Sequence, residues 1–382
     1  MSPPLLVAYR ALGLGDFLTG VPALRALARA FPGHRRVLAA PPALAPLAEL
    51  SGAVDAFVPA EPLAPLPPEL HGADVAVNLH GRGPQSHALL RAAAPARLIA
   101  FAAPGVDGPP WREDEHEVAR WCRLLEASGI PADRSDLDLP APAVDPPADV
   151  GGATVIHAGA ASAARRWPVE RWAAVARAER EAGRHVVLTG GPDERDLAEA
   201  LAVAAGLPGE AVLAGRTDLV GLAAVVAAAG AVACGDTGIA HLATALGTPS
   251  VVLFGPTPPD WWGPPPDRPR HCVLWAGRRG DPHGAEPDSG LLEITVDQVL
   301  HRLRICRVPD TGKRTGGQQT MGITDKITGR VKQAAGDLAD DASLRREGRK
   351  EERKGEAKDE LANAQEKADR KAEEVANLER RT

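Results

Sequence analysis

The sequence predicts an α/β protein made of two doubly wound, Rossmann-like domains that face a cleft. Up to about residue 310, short apolar runs alternate with amphipathic helical stretches, which is the pattern of strand–helix–strand units around a parallel sheet. A chain of 382 residues is long enough to bury more than one hydrophobic core. The alternation is interrupted at residues 140–152 and then starts again, so we expect one domain on each side of that interruption.

The first domain, residues 1–140, contains four apolar runs of strand length. We predict strands at residues 5–9, 37–40, 74–79 and 97–101. The stretch PAPAVDPPADVGG that follows is rich in Pro and Gly and has little potential for helix or strand. We therefore place an interdomain linker at residues 141–152.

The second domain, residues 153–308, shows the alternation more clearly. We predict strands at residues 154–157, 185–189, 211–214, 231–234 and 250–254, separated by helical stretches. Ligands of doubly wound sheets bind at the carboxyl ends of the strands. Two such domains in tandem therefore predict a site between their carboxyl edges, where loops from both domains meet.

Composition and charge argue against several classes of function. The four cysteines form no C-x-x-C pair and do not cluster with His, so we predict neither a zinc site nor a disulfide framework. The net charge is −6 and the body has no basic stripe, which argues against nucleic acid as a partner. The sequence shows neither a secretory signal pattern nor an apolar run of about 18 residues, so we expect a cytoplasmic protein with at most peripheral membrane contact.

The stretch RALGLGDFLTGVPALRAL, residues 10–27, places glycines and one acid between a predicted strand and a helix. Gly13, Gly15 and Gly20 lack the spacing of the dinucleotide fingerprint, and no acid ends a second strand at the distance that a ribose requires. We therefore predict no nicotinamide cofactor. Two interpretations of Asp16 remain: the glycine turn points its carboxylate into the cleft, or Asp16 caps the following helix.

The most informative stretch is AVACGDTGIAHLATALGTPSVVLFGPT, residues 231–257. Asp236, Thr237 and Gly238 follow an apolar strand and open a helix, and His241 lies one turn further on. One interpretation is a capped helix. The other is a diphosphate site, because a helix N-terminus offers free amide groups and a positive dipole end.

Two further loops of the second domain carry charged side chains. In VIHAGAASAARRWPVERW, residues 155–172, Arg165 and Arg166 come just before a predicted helix. They are either solvated surface arginines or cations that bind a diphosphate. In LTGGPDERDLAEAL, residues 188–201, Asp193 and Glu194 follow a Gly-Gly turn. They either cap a helix or receive the hydroxyls of a ribose or sugar.

In the first domain, the stretch DVAVNLHGRGPQSHALLRAA, residues 74–93, leads from a strand into a helix that opens near Gln85. Its polar residues lie at the predicted cleft edge and are candidates for acceptor binding, although each alone is also an ordinary loop residue: Asn78, His80, Arg82 and Ser86. The D-x-D pair at residues 136–138 matches a metal-binding pattern but lacks a neighbouring Gly-rich loop, so we interpret it as a chance match. The loop GPTPPDWWGPPP, residues 255–266, either covers the donor or packs Trp261 and Trp262 against the domain.

The motifs HAGAASAARRWPVERW, LTGGPDERDL and GDTGIAHLATALGTPSVVLFGPT resemble, in order and spacing, those of glycosyltransferase family 9, which includes the lipopolysaccharide heptosyltransferases. The opening stretch GLGDFLTGVPALRALARAFPG also resembles the family, so that the similarity spans roughly residues 4–305. The resemblance implies a GT-B fold, a nucleotide-diphospho-sugar donor on the second domain and inverting, metal-independent transfer to a glycan or glycolipid acceptor on the first. Asp16 matches the family's proposed general base.

The resemblance also implies the donor site, formed by the charged loop residues and the helix opening: Arg165, Arg166, Asp193, Glu194, Asp236, Thr237, Gly238 and His241. It favours an ADP-sugar over a GDP- or UDP-sugar, with a heptose-like or other sugar, and no cofactor. One departure is Arg165, because the heptosyltransferase branch commonly has Lys there; Arg gives a forked contact to the diphosphate in place of a point charge.

Residues 309–320 are predicted to be a second linker, and residues 321–382 a charged tail. The tail has 15 basic and 15 acidic residues, so we expect a lone charged helix or disorder. Its segments MGITDKITGRVKQAAGDLADD and EGRKEERKGEAKDEL resemble the CsbD-like stress-response proteins.

Two alternatives to a transferase remain open at the level of sequence. One is a sugar-nucleotide epimerase of the same paired-domain architecture. The other is a non-catalytic nucleotide-binding protein with a stress-related tail.

Overall fold

The computed structural model describes residues 3–147 and 150–307, and its framework consists of two five-stranded parallel sheets. The first sheet has the strand order β3-β2-β1-β4-β5. Its strands are β1 (Leu5–Tyr9), β2 (Arg35–Ala40), β3 (Ala56–Pro59), β4 (Val75–Asn78) and β5 (Arg97–Ile99). The helices around it are α1 (Leu14–Ala30), α2 (Ala45–Leu50), α3 (Gln85–Ala92) and α4 (Glu117–Glu126).

The second sheet has the order β10-β9-β8-β6-β7. Its strands are β6 (Thr154–His157), β7 (Val186–Thr189), β8 (Ala231–Gly235), β9 (Ser250–Phe254) and β10 (His271–Trp275). The helices are α5 (Val169–Glu181), α6 (Arg195–Ala205), α7 (Leu219–Ala228), α8 (Gly238–Ala245), α9 (Pro259–Trp262), α10 (Ser289–Glu293) and α11 (Val296–Cys306). In both sheets the strand order reverses beside the first strand, which is the geometry that opens a crevice at the carboxyl edge.

The central strands form because they are apolar on both faces. All five residues of β8 and of β9 are buried, as expected for strands of a parallel sheet that helices cover on both sides. Helix α1 contributes the side chains of Phe17, Leu18 and Leu24 to the core. Each such fully buried side chain stabilises the fold by about 1.5–3 kcal/mol.

Hydrophobic packing is continuous from one sheet to the other. The largest buried cluster contains Leu24 and Trp121 from the first sheet's helices together with Ile239 and Leu242 of α8. The helices that join the two halves are therefore α1 and α8, each of which follows the first or central strand of its sheet. Their packing fixes how the two carboxyl edges meet.

The structure confirms eight of the nine predicted strands to within a few residues, and β1, β6 and β9 have the predicted bounds. The predicted strand at 211–214 is wrong. A 3₁₀ turn occupies Gly209–Ala211, and pairing is limited to one bridge between Leu188 and Val212. The 3₁₀ turn takes up the start of the run, and the part that follows β7 is short: the Leu213 amide donates to the Leu188 carbonyl at 2.8 Å and the Gly215 amide to the Gly190 carbonyl at 3.0 Å, and Gly215 then turns the chain with φ +69°. Strands β3 and β10 were not predicted.

The described residues of the predicted linker, 141–147 and 150–152, contain neither helix nor strand. Contact with the second sheet begins before that stretch, because the Leu139 amide donates to the Ala245 carbonyl at the end of α8 at 2.8 Å. The domain limits at 140 and 153 stay predictions. The predicted linker at 309–320 and the CsbD-like tail at 321–382 lie outside the described residues.

Within residues 3–147 and 150–307, none of the helices has the length and apolar character needed to cross a membrane.

Candidate active site

The N-termini of α1 and α8 meet where the two carboxyl edges face each other. A Cβ added to Gly15 would lie 2.9 Å from His241 Cδ2 and 3.5 Å from Gly238 Cα. A Cβ added to Gly238 would lie 3.0 Å from Leu14 Cβ and 3.2 Å from the Gly15 amide nitrogen. The backbones approach this closely because glycine has no side chain at either position. The glycine turn of the first half and the Asp-Thr-Gly turn of the second half thus form one site.

Asp16 lies in the first turn of α1, next to this contact. The N-cap position belongs to Gly13, so the interpretation of Asp16 as the N-cap is wrong. The Asp16 side chain is 30% exposed, and its Oδ1 lies 3.6 Å from Arg10 Nη2. Burial raises the pKa of Asp16 above its ordinary value, although the Arg10 charge opposes that effect. A raised pKa makes this carboxylate a better proton acceptor than an ordinary surface aspartate.

Arg10 is a buried cation that organises the site, and no motif in the sequence predicts that role. Its Nε donates to the Asp16 carbonyl and its Nη1 to the Leu79 carbonyl, which ties the loops after β1 and β4 together. Its Nη2 donates to Thr19 Oγ1 at 3.2 Å and to Glu117 Oε1 at 3.1 Å. The guanidinium also lies 4.7 Å from the centre of the Trp121 ring.

Glu117 is the second buried charge that sequence reasoning missed. Its Oε1 accepts from Trp121 Nε1 at 2.8 Å, and its Oε2 pairs with Arg120. Burial works to raise the pKa of Glu117, but the charges of Arg10 and Arg120 outweigh it, so the pKa lies below its usual value. Glu117 therefore stays ionised beside Arg10. Because it is 107 residues away from Arg10 in sequence, no local pattern signals the pair.

On the second half, Arg165 and Asp236 lie together at the end of β8. Arg165 Nη1 donates to the Asp236 carbonyl at 3.3 Å and lies 4.0 Å from Asp236 Oδ2. Asp236 is 6% exposed, and burial raises its pKa to about 6, with Arg165 opposing the rise. The cation therefore stands at the mouth of the Asp-Thr-Gly turn, where a ligand's negative charge would meet it.

The N-terminus of α8 is not closed by its own side chains. Thr237 holds the N-cap position, but its side chain makes no capping hydrogen bond. The Thr237 hydroxyl instead lies 3.5 Å from the Gly235 carbonyl. His241 lies beside Gly15 in the first turn, with its ring 5.8 Å from that of Trp262, and burial lowers its pKa to about 4. A neutral imidazole and unused amides thus border the turn.

The other charged loop residues of the second half take different positions. Arg166 is exposed, and its Nε donates to the Ala160 carbonyl of its own loop at 2.9 Å, so it does not join Arg165 at Asp236. Asp193 is exposed. Glu194 Oε2 accepts from the Gly191 amide at 2.8 Å and lies 3.6 Å from His157 Nε2.

Glu194 also closes over the loop after β6, since a Cβ on Gly159 would lie 2.0 Å from its Oε1. Glu194 therefore accepts a capping hydrogen bond within its own loop and also lies between the loops that follow β6 and β7.

The polar residues after β4 divide into two kinds. Asn78 and Ser86 are buried and hydrogen-bonded to each other at 2.9 Å, and Asn78 Oδ1 accepts from the His80 amide. They shape the loop. His80 stacks on Tyr9 at 4.7 Å, and burial lowers its pKa to about 4. Arg82 is 66% exposed and pairs with Glu113 at 2.8 Å. Of the four predicted acceptor contacts, Arg82 is thus the one that is open to solvent.

Both carboxylates of the D-x-D pair are engaged by arginines. Asp136 pairs with Arg25 and Arg29 of α1, each at 2.7 Å, and Asp138 pairs with Arg268 of the second half. Within the described part of the chain, we find no group of three or more His, Cys, Asp or Glu arranged to hold a metal ion. The pair connects the two halves of the molecule.

The loop that carries Trp261 and Trp262 also reaches the first half. His116 Nδ1 accepts a hydrogen bond from the Val118 amide and so caps α4. The ring proton is therefore on Nε2, which donates to the Gly263 carbonyl at 2.9 Å. The start of α4, which carries Glu117, is thereby attached to this loop of the second half.

Two parallel sheets whose carboxyl edges face each other across this site define the GT-B class of fold. Solved structures of the same class agree. A glycosyltransferase family 9 protein from Veillonella parvula aligns with a TM-score of 0.65 at 19% identity, over 80% of this chain and 98% of that one. The Escherichia coli ADP-heptose lipopolysaccharide heptosyltransferase II aligns with a TM-score of 0.63 at 21% identity, over 80% and 98%.

The family model described as glycosyltransferase family 9 (heptosyltransferase) matches residues 108–283, just under half of the chain. Lipopolysaccharide heptosyltransferase 2 of E. coli K12 is 33% identical over 147 residues, which are 37% of this chain and 42% of that protein. Lipopolysaccharide heptosyltransferase 1 of Pseudomonas aeruginosa is 44% identical over 100 residues, 26% and 27% of the two chains. The sequence match thus spans less than half of these relatives. It confirms the resemblance for the donor-side motifs and leaves that of residues 10–27 a prediction.

Proposed function

We propose that the chain is an inverting, metal-independent glycosyltransferase that moves a sugar from a nucleotide-diphospho-sugar to a hydroxyl group of a glycan or glycolipid. The observation that carries the proposal is the meeting of α1 and α8, which brings Asp16 of one half to the Asp-Thr-Gly turn of the other. A base and a diphosphate site on opposite sides of one contact are what a direct displacement at the anomeric carbon needs.

In this proposal Asp16 is the general base. Its carboxylate takes the proton of the acceptor hydroxyl while that oxygen forms the new bond to the anomeric carbon. The bond to the nucleotide diphosphate breaks on the opposite face, so the configuration inverts. The departing negative charge is stabilised by Arg165 and by the amides at the start of α8, and each well-placed contact of this kind lowers the barrier by about 3 kcal/mol.

The positive potential at the donor side comes from groups of the protein itself, which supports transfer without a metal. Arg165 supplies a fixed forked cation, and the α8 N-terminus adds its dipole. The carboxylates at 136 and 138, which match a metal-binding pattern in sequence, are both paired with arginines. We keep Asp193, Glu194 and His241 as donor-side residues, and Asn78, His80, Arg82 and Ser86 as acceptor-side residues, in this proposal. Arg166 is kept as a peripheral donor-side residue that contributes less than Arg165, because its guanidinium bonds to its own loop.

The names of similar proteins support an ADP-linked donor ahead of GDP or UDP. Solved structures of the E. coli heptosyltransferase WaaC hold ADP and ADP-2-deoxy-2-fluoro heptose. The curated relatives are named as lipopolysaccharide or lipooligosaccharide heptosyltransferases, which supports a heptose-like sugar and a glycolipid acceptor.

Replacement of Asp16 by Asn tests the proposal. We expect transfer to fall by about 10²–10⁴-fold, because the general base is lost, while ADP affinity by calorimetry stays within a few fold of wild type. Asp297→Asn is the matched control, since Asp297 also lies in the first turn of a helix but is exposed on α11. Retention of most transfer activity in Asp16→Asn would remove Asp16 from the mechanism. Conversion of labelled ADP-sugar without any acceptor would point instead to an epimerase.

A further inference from the structure

The buried guanidinium of Arg10 lies near two carboxylates at the candidate active site. Arg10 Nη2 is within hydrogen-bonding distance of Glu117 Oε1, at 3.1 Å, but lies 3.6 Å from Asp16 Oδ1. The side chain of Arg10 is completely buried and that of Glu117 is 6% exposed, whereas Asp16 is open at its outer side. The stronger contact of Arg10 is therefore with Glu117, and its contact with Asp16 is the weaker one.

We propose that Glu117 is a positioning residue for Asp16 and acts on it through Arg10. The proposal rests on the proposed function, in which Asp16 is the general base. Glu117 engages the Nη2 donor of Arg10, so that the guanidinium cannot close on the Asp16 carboxylate with a forked, charge-assisted pair. Such a pair would hold the proton acceptor in place but would make it a weak base.

The surroundings of Glu117 keep its carboxylate fixed and ionised. It is the first residue of α4, where the helix dipole favours a negative charge. Trp121 and Arg120 each donate to it from the same helix. His116, the preceding residue, caps α4 and is bonded to Gly263 of the second half. The position of Glu117 is thus set by the helix and by the contact between the two halves.

Two charged groups act on Asp16 from the elements around it: Arg10 at the end of β1 and Glu117 at the start of α4. His241, in the first turn of α8, lies against the neighbouring Gly15. The burial that raises the pKa of Asp16 is opposed by Arg10 and aided by Glu117. Replacement of Glu117 by Gln removes the charge and keeps the shape of the side chain, and it should therefore lower the pKa of Asp16.

The test is a carbon-13 NMR titration of the Asp16 carboxyl group in the full chain with Glu117→Gln, the resonance being identified by its loss in Asp16→Asn. We expect the pKa of Asp16 to fall by about one pH unit, because a negative neighbour is removed and Arg10 becomes free to pair with Asp16. Glu126→Gln, which makes the same change at the other, exposed end of α4, should leave the pKa within experimental error. In transfer assays, Glu117→Gln should lower kcat, shift the acidic limb of the pH profile down with the pKa and leave the donor KM unchanged.

An unchanged pKa of Asp16 in a folded Glu117→Gln protein would overturn the proposal. If that variant does not fold, the same titration on Glu117→Asp decides. Withdrawal of the carboxylate by one methylene strengthens the pull of Arg10 on Asp16, so a lowered pKa supports the proposal and an unchanged one refutes it. The titration needs no substrate, so its outcome does not depend on whether the chain is a glycosyltransferase. A lowered pKa in a chain without any transferase activity would contradict the proposed function and still support the link through Arg10.

Discussion

Replacing Gly238 by alanine adds a methyl group to the contact between α8 and α1. The new Cβ would lie 3.0 Å from Leu14 Cβ, 3.1 Å from Leu14 Cγ and 3.2 Å from the Gly15 amide nitrogen. These distances are shorter than ordinary van der Waals contacts, and one of them involves backbone, which cannot rotate away. The two helices must therefore separate by a few tenths of an ångström or carry the strain.

The expected magnitude follows from two opposing effects. An extra methyl group in a packed contact costs about 1–3 kcal/mol. Alanine gains up to about 1 kcal/mol over glycine from helix propensity, and less than that in the first turn. The net loss in the free energy of unfolding is therefore about 1–2 kcal/mol, which corresponds to a fall in Tm of a few degrees for a chain of this size.

Gly33→Ala is the matched control. Gly33 follows α1, has no atom within 4 Å of an added Cβ and does not have a positive φ. That substitution should be neutral or stabilise the protein by about 0.4–1 kcal/mol, since it restricts the unfolded chain. Thermal and urea unfolding of both variants, with ADP titration by calorimetry, makes the comparison. Equal Tm values for the two variants, together with unaltered ADP affinity in Gly238→Ala, would refute the close approach of α1 and α8.

Two further predictions concern the second half. Burial raises the pKa of Asp236 to about 6, so its protonated form stabilises the folded state; that stability is present below about pH 4 and is lost as the pH rises through 6. The free energy of unfolding of the wild type relative to Asp236→Asn should therefore fall by about 2 kcal/mol between pH 4 and pH 7, and urea unfolding at a series of pH values that shows a flat difference would contradict this. Arg165→Ala should weaken ADP binding by about 10–100-fold in calorimetry because it removes a charged contact at the Asp-Thr-Gly turn, whereas Arg166→Ala, whose guanidinium bonds its own loop, should change affinity by less than about threefold. Equal losses in the two variants would show that both arginines hold the diphosphate.

Most of the strands that the sequence pattern predicts are buried on both faces, whereas the two that it misses, β3 and β10, are largely half-buried. The runs at 5–9, 154–157 and 250–254 have apolar centres and are bounded by turn residues, and the structure has strands there with the same bounds. The run at 211–214 has the same composition, but a 3₁₀ turn and the positive φ of Gly215 allow it a single bridge. Strand β3 is short and ends in Pro, and β10 carries a His at its start, so neither has the signal of a buried strand.

Some residues of the candidate site can be predicted from sequence and others cannot. Residues that follow a predicted strand along the chain, such as Asp16, Arg165 and Asp236, can be proposed from sequence, because topology alone brings carboxyl-edge loops together. The pairing of Arg10 with Glu117 could not, even though Arg10 itself follows a predicted strand, since that pairing depends on where α4 packs against α1. A buried guanidinium is also an exception to the general exposure of arginine. How Asp16 is held is therefore a property of tertiary packing.

The segment that contains Asp136 and Asp138 has a consequence for hybrid proteins. Asp136 is held by Arg25 and Arg29 of the first half, and Asp138 by Arg268 of the second. A recombination point placed in the Pro- and Gly-rich stretch after it would cut few contacts within either half but would separate Asp138 from its native arginine partner. A second half taken from another protein must therefore supply a cation at the position of Arg268. Without it, Asp138 has no ion-pair partner at the junction of the hybrid.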